Sequence, residues 1–156
     1  MSARDLLDLA WVIPVLPAFG AVVLLLFGKR IGEPWSGWLA TAMMGLAFVG
    51  SLAMFFALRS LPEEARHQVS DGFTWIQAGT FRVDFRMLAD PLSSTMILFV
   101  TGVGALIHLY AIGYMHGDPR FSRFFAYLNL FAASMLVLVL GSSFLVTFMG
   151  WEGVGL

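Results

Sequence analysis

Cysteine is absent from the 156 residues and histidine occurs three times. Disulfide frameworks, thiolate metal sites and cysteine nucleophiles are therefore excluded. Charge is nearly as scarce: Asp, Glu, Lys and Arg make up 12% of the chain, against about 25% in an ordinary soluble domain. Nine Lys+Arg and ten Asp+Glu cannot cover a chain holding fifteen Phe and five Trp, so a soluble globular fold is excluded. The formal net charge is −1, and the aromatics sit in apolar runs rather than among basic residues. No positive field is available to hold nucleic acid.

What the chain has in abundance is uncharged length. All charged residues but one fall in four clusters, at 4–8, 29–33, 59–90 and 118–123, and the exception is Glu152. A helix crossing a hydrocarbon core of roughly 30 Å needs about 20 apolar residues. The windows 9–28, 34–58, 91–117 and 124–151 meet that length. The fourth is too long for one span, and Gly141-Ser142-Ser143 near its middle marks a turn. Helices are therefore expected at 9–27, 36–58, 91–115 and 122–140, with a fifth starting near 144. The first window is too long for a secretory signal, contains Pro14 and Pro17 and follows Arg4, Asp5 and Asp8, so it reads as a retained span. Thirteen residues from 144 to 156 make about 20 Å of helix. That falls short of a crossing, which points to an N-terminal fragment of a longer membrane protein or to a partner capping the half-helix. The expected fold is an all-α polytopic membrane protein with four transmembrane helices plus an incomplete fifth.

The stretch 59–90 is rich in charge and reads as an aqueous loop. Within it Phe73-Thr74-Trp75-Ile76 and Thr80-Phe81-Arg82-Val83-Asp84-Phe85 flank Gln77-Ala78-Gly79, and the second run alternates apolar with polar as a half-exposed strand does. A β-hairpin is expected, its aromatics docked on the membrane part or on a neighbouring subunit, because an isolated hairpin is marginal in water. The chain thus divides into helices one and two (1–58), the hairpin loop (59–90) and helices three to five (91–156). Lys29, Arg30, Arg120 and Arg123 lie in two short loops, which the positive-inside rule weighs most heavily. Those loops are expected in the cytoplasm, with the N-terminus and hairpin extracytoplasmic.

Glu152 stands in Gly150-Trp151-Glu152-Gly153-Val154-Gly155, partway into a span and far in sequence from any other ionisable group. A carboxylate in hydrocarbon is held either protonated or beside a cation, and one poised between those states can take and release protons. The plainer reading is a helix-gluing ion pair or a residue at the span's end. His108 lies late in the third helix, and imidazole titrates near neutrality, which suits a relay. A packing histidine hydrogen-bonded across helices is the alternative. His116 at the membrane edge and His67 in the loop read as solvated. Asp90-Pro91-Leu92-Ser93 reads as a helix start, with Asp at the N-cap and Pro first in the helix. Asn129, Ser134 and Thr147 are expected to make interhelical hydrogen bonds, and Pro14 and Pro17 to kink the first helix. Gly102-Val103-Gly104 has neither a preceding strand nor a following Lys-Ser/Thr, so it is no phosphate loop.

Several runs in fixed order carry a family resemblance. They are Asp90-Pro91-Leu92-Ser93, Thr101-Gly102-Val103-Gly104-Ala105-Leu106-Ile107-His108-Leu109-Tyr110, Gly113-Tyr114-Met115, Arg123-Phe124-Phe125-Ala126-Tyr127-Leu128-Asn129-Leu130-Phe131 and Gly150-Trp151-Glu152-Gly153-Val154-Gly155-Leu156. Together they resemble the N-terminal part of subunit L, chain 5 in mitochondria, of proton-translocating NADH:quinone oxidoreductase. The resemblance is dense from about Trp75 onward and weaker before it. It implies an antiporter-like subunit of the complex's membrane arm, in a bacterial inner membrane, that moves protons. NAD, FMN, iron–sulfur clusters and quinone would be bound by other subunits, and no cofactor or metal by this chain. The family's fifth-helix glutamate, which pairs with a lysine on a later helix, matches Glu152. That lysine and the second channel-forming repeat would lie beyond Leu156. Two other functions remain open from sequence: the large subunit of a multisubunit Na⁺/H⁺ antiporter, and a scaffold that docks partners without conducting.

Overall fold

The computed structural model describes residues 9–155; the cluster at 4–8, and with it the expected side for the N-terminus, lies outside them. A 3-10 turn at Leu9–Trp11 leads into α1 (Val12–Ile31), followed by α2 (Trp35–Arg59), a 3-10 turn at Glu63–Ala65, strands β1 (Gln68–Val69), β2 (Phe73–Ala78), β3 (Phe81–Phe85) and β4 (Leu88–Ala89), then α3 (Pro91–Tyr114), α4 (Phe121–Leu140) and α5 (Phe144–Gly155). The first four helices are each long and apolar enough to cross a membrane. Their outward faces carry Phe19, Leu26, Phe56, Leu106 and Tyr110, as an apolar surround requires. The chain is a multi-pass membrane protein.

α1 packs mainly on α4, α2 on α3, and α5 on α4. Two clusters of buried side chains result. One, toward the hairpin, joins Ile13, Met54, Ile97, Leu136, Leu140 and Val146 to Phe85 and Met87 from the loop; the other, toward the short loops, joins Leu24, Ala40, Ala111, Phe121, Phe125 and Ala126. α1 runs through Lys29 and Arg30 to Ile31, past the expected end at 27. Cations in a last turn favour the helix dipole, so the charge cluster marks where the chain leaves the apolar zone rather than where the helix stops. Pro14 falls in the first turn of α1, and Pro17 is accommodated within the helix. α3 opens with the anticipated Asp90 N-cap, whose Oδ1 accepts from Ser93 N–H at 2.6 Å, and Ser93 Oγ completes a capping box by accepting from Asp90 N–H at 2.9 Å.

The hairpin forms with a tighter turn than expected. β2 extends to Ala78, which pairs with Phe81, leaving Gly79 and Thr80 as the loop. Gly79 has φ 60°, the left-handed conformation that a two-residue loop demands at its first position and glycine supplies at no steric cost. Register shifts between Thr74 and Ile76. The hairpin docks on the membrane part through Trp11, which Phe85 meets at 5.2 Å and Phe73 at 6.1 Å between ring centroids; within the hairpin Phe85 also meets Phe73 at 5.5 Å and Trp75 at 5.9 Å. Trp11 Nε1–H also donates to the Asp71 carbonyl at 2.8 Å. A second ribbon, β1 paired antiparallel with β4, closes the base of the loop and was not anticipated from periodicity.

Asp84 collects the charges of this hairpin. Its Oδ1 accepts from Arg82 Nε–H at 2.8 Å and Thr74 Oγ1–H at 3.0 Å, and its Oδ2 from Arg86 at 2.9 Å. The Arg82 hydrogen bond is the main reason the carboxyl is held below its ordinary value of 3.8, with Thr74 and the Arg86 charge adding to it. A lowered carboxyl stabilises the fold above its ordinary value and loses that contribution as pH falls through the lowered one. Protection of the β2 and β3 amides, relative to the intrinsic exchange rate at each pH, is therefore expected to fall in acid below pH 3.8. Asp84→Asn should show faster exchange already at neutral pH and lose the acid-dependent step.

Candidate functional site

α5 is placed by the loop as much as by the helices. Ser142 N–H donates to the Arg86 carbonyl at 3.1 Å, and Met87 bridges to Gly141, so the turn before α5 is sewn to the strand region. Ser143 then starts the helix, its carbonyl accepting from Thr147 N–H at 3.0 Å. α5 lies close on α4 through glycines. A Cβ at Gly150 would come within 2.4 Å of the Leu138 backbone nitrogen, and one at Gly153 within 2.6 Å of Ser134 Oγ. With Gly150 and Gly153 turned inward, Trp151 and Glu152 point away from the bundle, and both are exposed. Glu152 sits eight residues into α5, about 12 Å from its start. Among the described residues no cation pairs with it.

His108 is the opposite case. It is 1% exposed, and Asn129 on α4 is fully buried beside it. His108 Nδ1 lies 2.7 Å from the Gly104 carbonyl and Nε2 lies 2.8 Å from Asn129 Oδ1. Phe125 packs at 6.3 Å between ring centroids. The interhelical hydrogen bond expected of Asn129 is present, and its partner is His108, a pairing that sequence spacing did not reveal. Ser134 and Thr147 make no interhelical side-chain hydrogen bond among the described residues. Ser134 instead lies against Gly153.

No hydrogen bond joins His108 to Glu152 among the described residues, so the two candidates occupy separate places, one in the α3–α4 interior and one on the outward face of α5. His116 is exposed, as expected, yet its Nδ1 pairs with the Glu33 carboxylate, which also accepts from Gly117 N–H at 3.1 Å. That tie fastens the α1–α2 turn to the α3–α4 loop. His67 is exposed in the loop. No cluster of three or more His, Cys, Asp or Glu that could hold a metal occurs among the described residues.

Residues 75–125 match the family profile described as NADH-Ubiquinone oxidoreductase (complex I), chain 5 N-terminus. The chain is 47% identical to NADH-quinone oxidoreductase subunit L of Mycobacterium tuberculosis over 148 residues, covering 94% of this chain and 23% of that protein. It is 43% identical to the Escherichia coli subunit L over 145 residues, 91% of this chain and 23% of the relative. It is 36% identical to NADH-ubiquinone oxidoreductase chain 5 of Dictyostelium citrinum over 142 residues, 91% of this chain and 21% of the relative. The chain spans less than a quarter of the length of these relatives. The subunit L and chain 5 matches run along nearly the whole sequence, and the matched profile covers the hairpin from Trp75, α3 and the start of α4. Along nearly its whole length the chain is therefore similar to the N-terminal part of NADH-quinone oxidoreductase subunit L (chain 5).

Proposed function

We propose that this chain forms the N-terminal helices of an antiporter-like membrane subunit of NADH-quinone oxidoreductase, which couples redox chemistry in other subunits to proton translocation. The observation that carries the reading is Glu152: an exposed carboxylate on an apolar helix, with no cation beside it among the described residues. Such a group is costly in hydrocarbon unless something outside these helices meets it, and a lysine from a later helix has the right chemistry. Protonation of Glu152, alternating with pairing to that lysine, would gate the passage of protons. NAD, FMN, iron–sulfur clusters and quinone fall to other subunits, and the residues from 91 onward begin the translocation module. The reported relatives bear complex I names, which favours this reading over a Na⁺/H⁺ antiporter or a scaffold. The test is Glu152→Gln in the full-length subunit of the assembled complex, comparing proton pumping with NADH oxidation.

The proposed setting is a bacterial inner membrane, against other membrane-arm subunits and lipid, with Lys29, Arg30, Arg120 and Arg123 cytoplasmic and the hairpin outside. Introduced cysteines report this directly, because the chain has none of its own. In a cysteine-free full-length background, Thr80→Cys is expected to react with a membrane-impermeant maleimide added to intact cells. Asp118→Cys should react only after the membrane is opened, and the reverse pattern overturns the orientation.

A further inference from the structure

The contact between His108 and Asn129 sets a donor–acceptor problem with two solutions. Gly104 offers His108 Nδ1 a carbonyl at 2.7 Å, which can only accept, so Nδ1 carries a hydrogen. Nε2 faces Asn129 Oδ1 at 2.8 Å, while Asn129 Nδ2 is buried without a partner. Between two carbonyl oxygens, the ring satisfies both only as imidazolium, with a hydrogen on each nitrogen. A half-turn of the amide exchanges its ends within nearly the same volume. Nδ2–H then donates to a neutral Nε2, so one of the two amide hydrogens left unpartnered in the other orientation gains an acceptor. The far end of the amide lies against Gly20, where a Cβ would come within 2.3 Å of it. A glycine Cα–H can meet an oxygen weakly but offers nothing to an N–H. Each protonation state of the ring therefore has its own amide orientation, and Gly20 leaves room for both.

We propose that His108 and Asn129 form a second proton-binding site, apart from Glu152, in which the Asn129 amide turns over as Nε2 gains or loses a proton. The proton adds to the Nε2 lone pair, the Nδ2–H···Nε2 bond breaks, and an Nε2–H···Oδ1 bond forms; release is the reverse. Among the described residues no charged side chain faces the ring. The titratable groups on the surrounding helices are Lys29 and Arg30 ending α1, Arg59 ending α2, the outward Tyr110 and Tyr114 on α3, and Arg123 with the outward Tyr127 on α4. The amide, rather than an ion pair, is what distinguishes the two states. Hydroxyl pairs flank the ring along the bundle. Thr101, two turns before His108 on α3, lies 3.3 Å from Ser51 on α2, and Ser122, two turns before Asn129 on α4, lies 2.8 Å from Ser36 on α2. Each stands about 10 Å along the helix axis from the pair, one on the hairpin side and one on the side of the short loops, so groups able to pass protons lie in both directions.

The inference rests on the proton-translocating reading above, and its test separates the two. In the full-length subunit of the complex reconstituted in proteoliposomes, His108→Gln retains hydrogen-bonding capacity but cannot be protonated. Proton pumping per NADH oxidised is expected to fall about a hundredfold, the least that a lost proton-transfer group costs. Infrared difference spectra with ring-¹⁵N histidine should show an imidazole-to-imidazolium change during turnover that is missing in this variant. Should His108→Gln fail to assemble, a shift of those bands in Asn129→Asp carries the assignment instead. Wild-type pumping in an assembled His108→Gln complex, or bands unaffected by either variant, overturns the proposal. Glu152→Gln, run in parallel, tells the failures apart: wild-type pumping there defeats the reading of Glu152, whatever the imidazole bands do.

Discussion

Glu152→Gln in the full-length subunit is expected to leave the complex assembled while lowering proton translocation by about a hundredfold, the lower end of what a positioned proton-transfer group contributes. Gln has nearly the same volume, and the Glu152 side chain points away from α4 on a helix seated by Gly150 and Gly153. Packing within these helices is therefore untouched. What disappears is the capacity to ionise. In the charged state a lysine from elsewhere in the subunit would lose its counter-ion, and an unpaired buried cation is expensive, so the switch rests in one state. Glu152→Asp keeps the charge on a stem one methylene shorter and should retain part of the activity. The measurement is the ratio of protons moved to NADH oxidised, together with the amount of assembled complex. Wild-type coupling with Gln in place would remove Glu152 from the mechanism; loss of assembly with both Gln and Asp would make it structural.

The route to that residue was legible in the sequence because one physical signal dominated. In a chain where charge is costly nearly everywhere, the clusters at 29–33, 59–90 and 118–123 mark the aqueous ends, and the four long helices lie between them. Glu152 stood out as the exception to that pattern. The N-cap at Asp90 and a hairpin turn that includes Gly79 were legible too, since each depends on residues within a few positions of one another. Three contacts were not legible. Glu33 meets His116 and Gly117 across 83 and 84 residues, β1 meets β4 across the whole hairpin, and His108 meets Asn129 from another helix. Spacing along one helix says which residues share a face; it does not fix the register between two helices. His108 and Asn129 were each identifiable as polar residues in apolar spans, but only the packing of α3 on α4 shows that they satisfy each other.

That packing makes α5 the place where a single methyl group has a large structural consequence. Gly150→Ala puts a Cβ within 2.4 Å of the Leu138 nitrogen, 2.7 Å of its Cα and 2.9 Å of its Cβ. Two of these atoms belong to the backbone of α4, so no rotamer change can clear them and the helices must part. Overpacking of this kind costs typically 1–3 kcal/mol, roughly, and here the strain falls two residues before Glu152, tilting the carboxylate away from its place. Gly153→Ala is the matched control, because its nearest obstacle is the Ser134 hydroxyl at 2.6 Å, which can rotate aside. Gly150→Ala is expected to lower the thermal stability of the full-length subunit in its complex and to reduce pumping in step. Gly153→Ala should do much less of both. If the two variants are equally tolerated, or Gly153→Ala is the more damaging, the close α4–α5 contact at Leu138 does not hold α5, and the placement of Glu152 must come from contacts outside these helices.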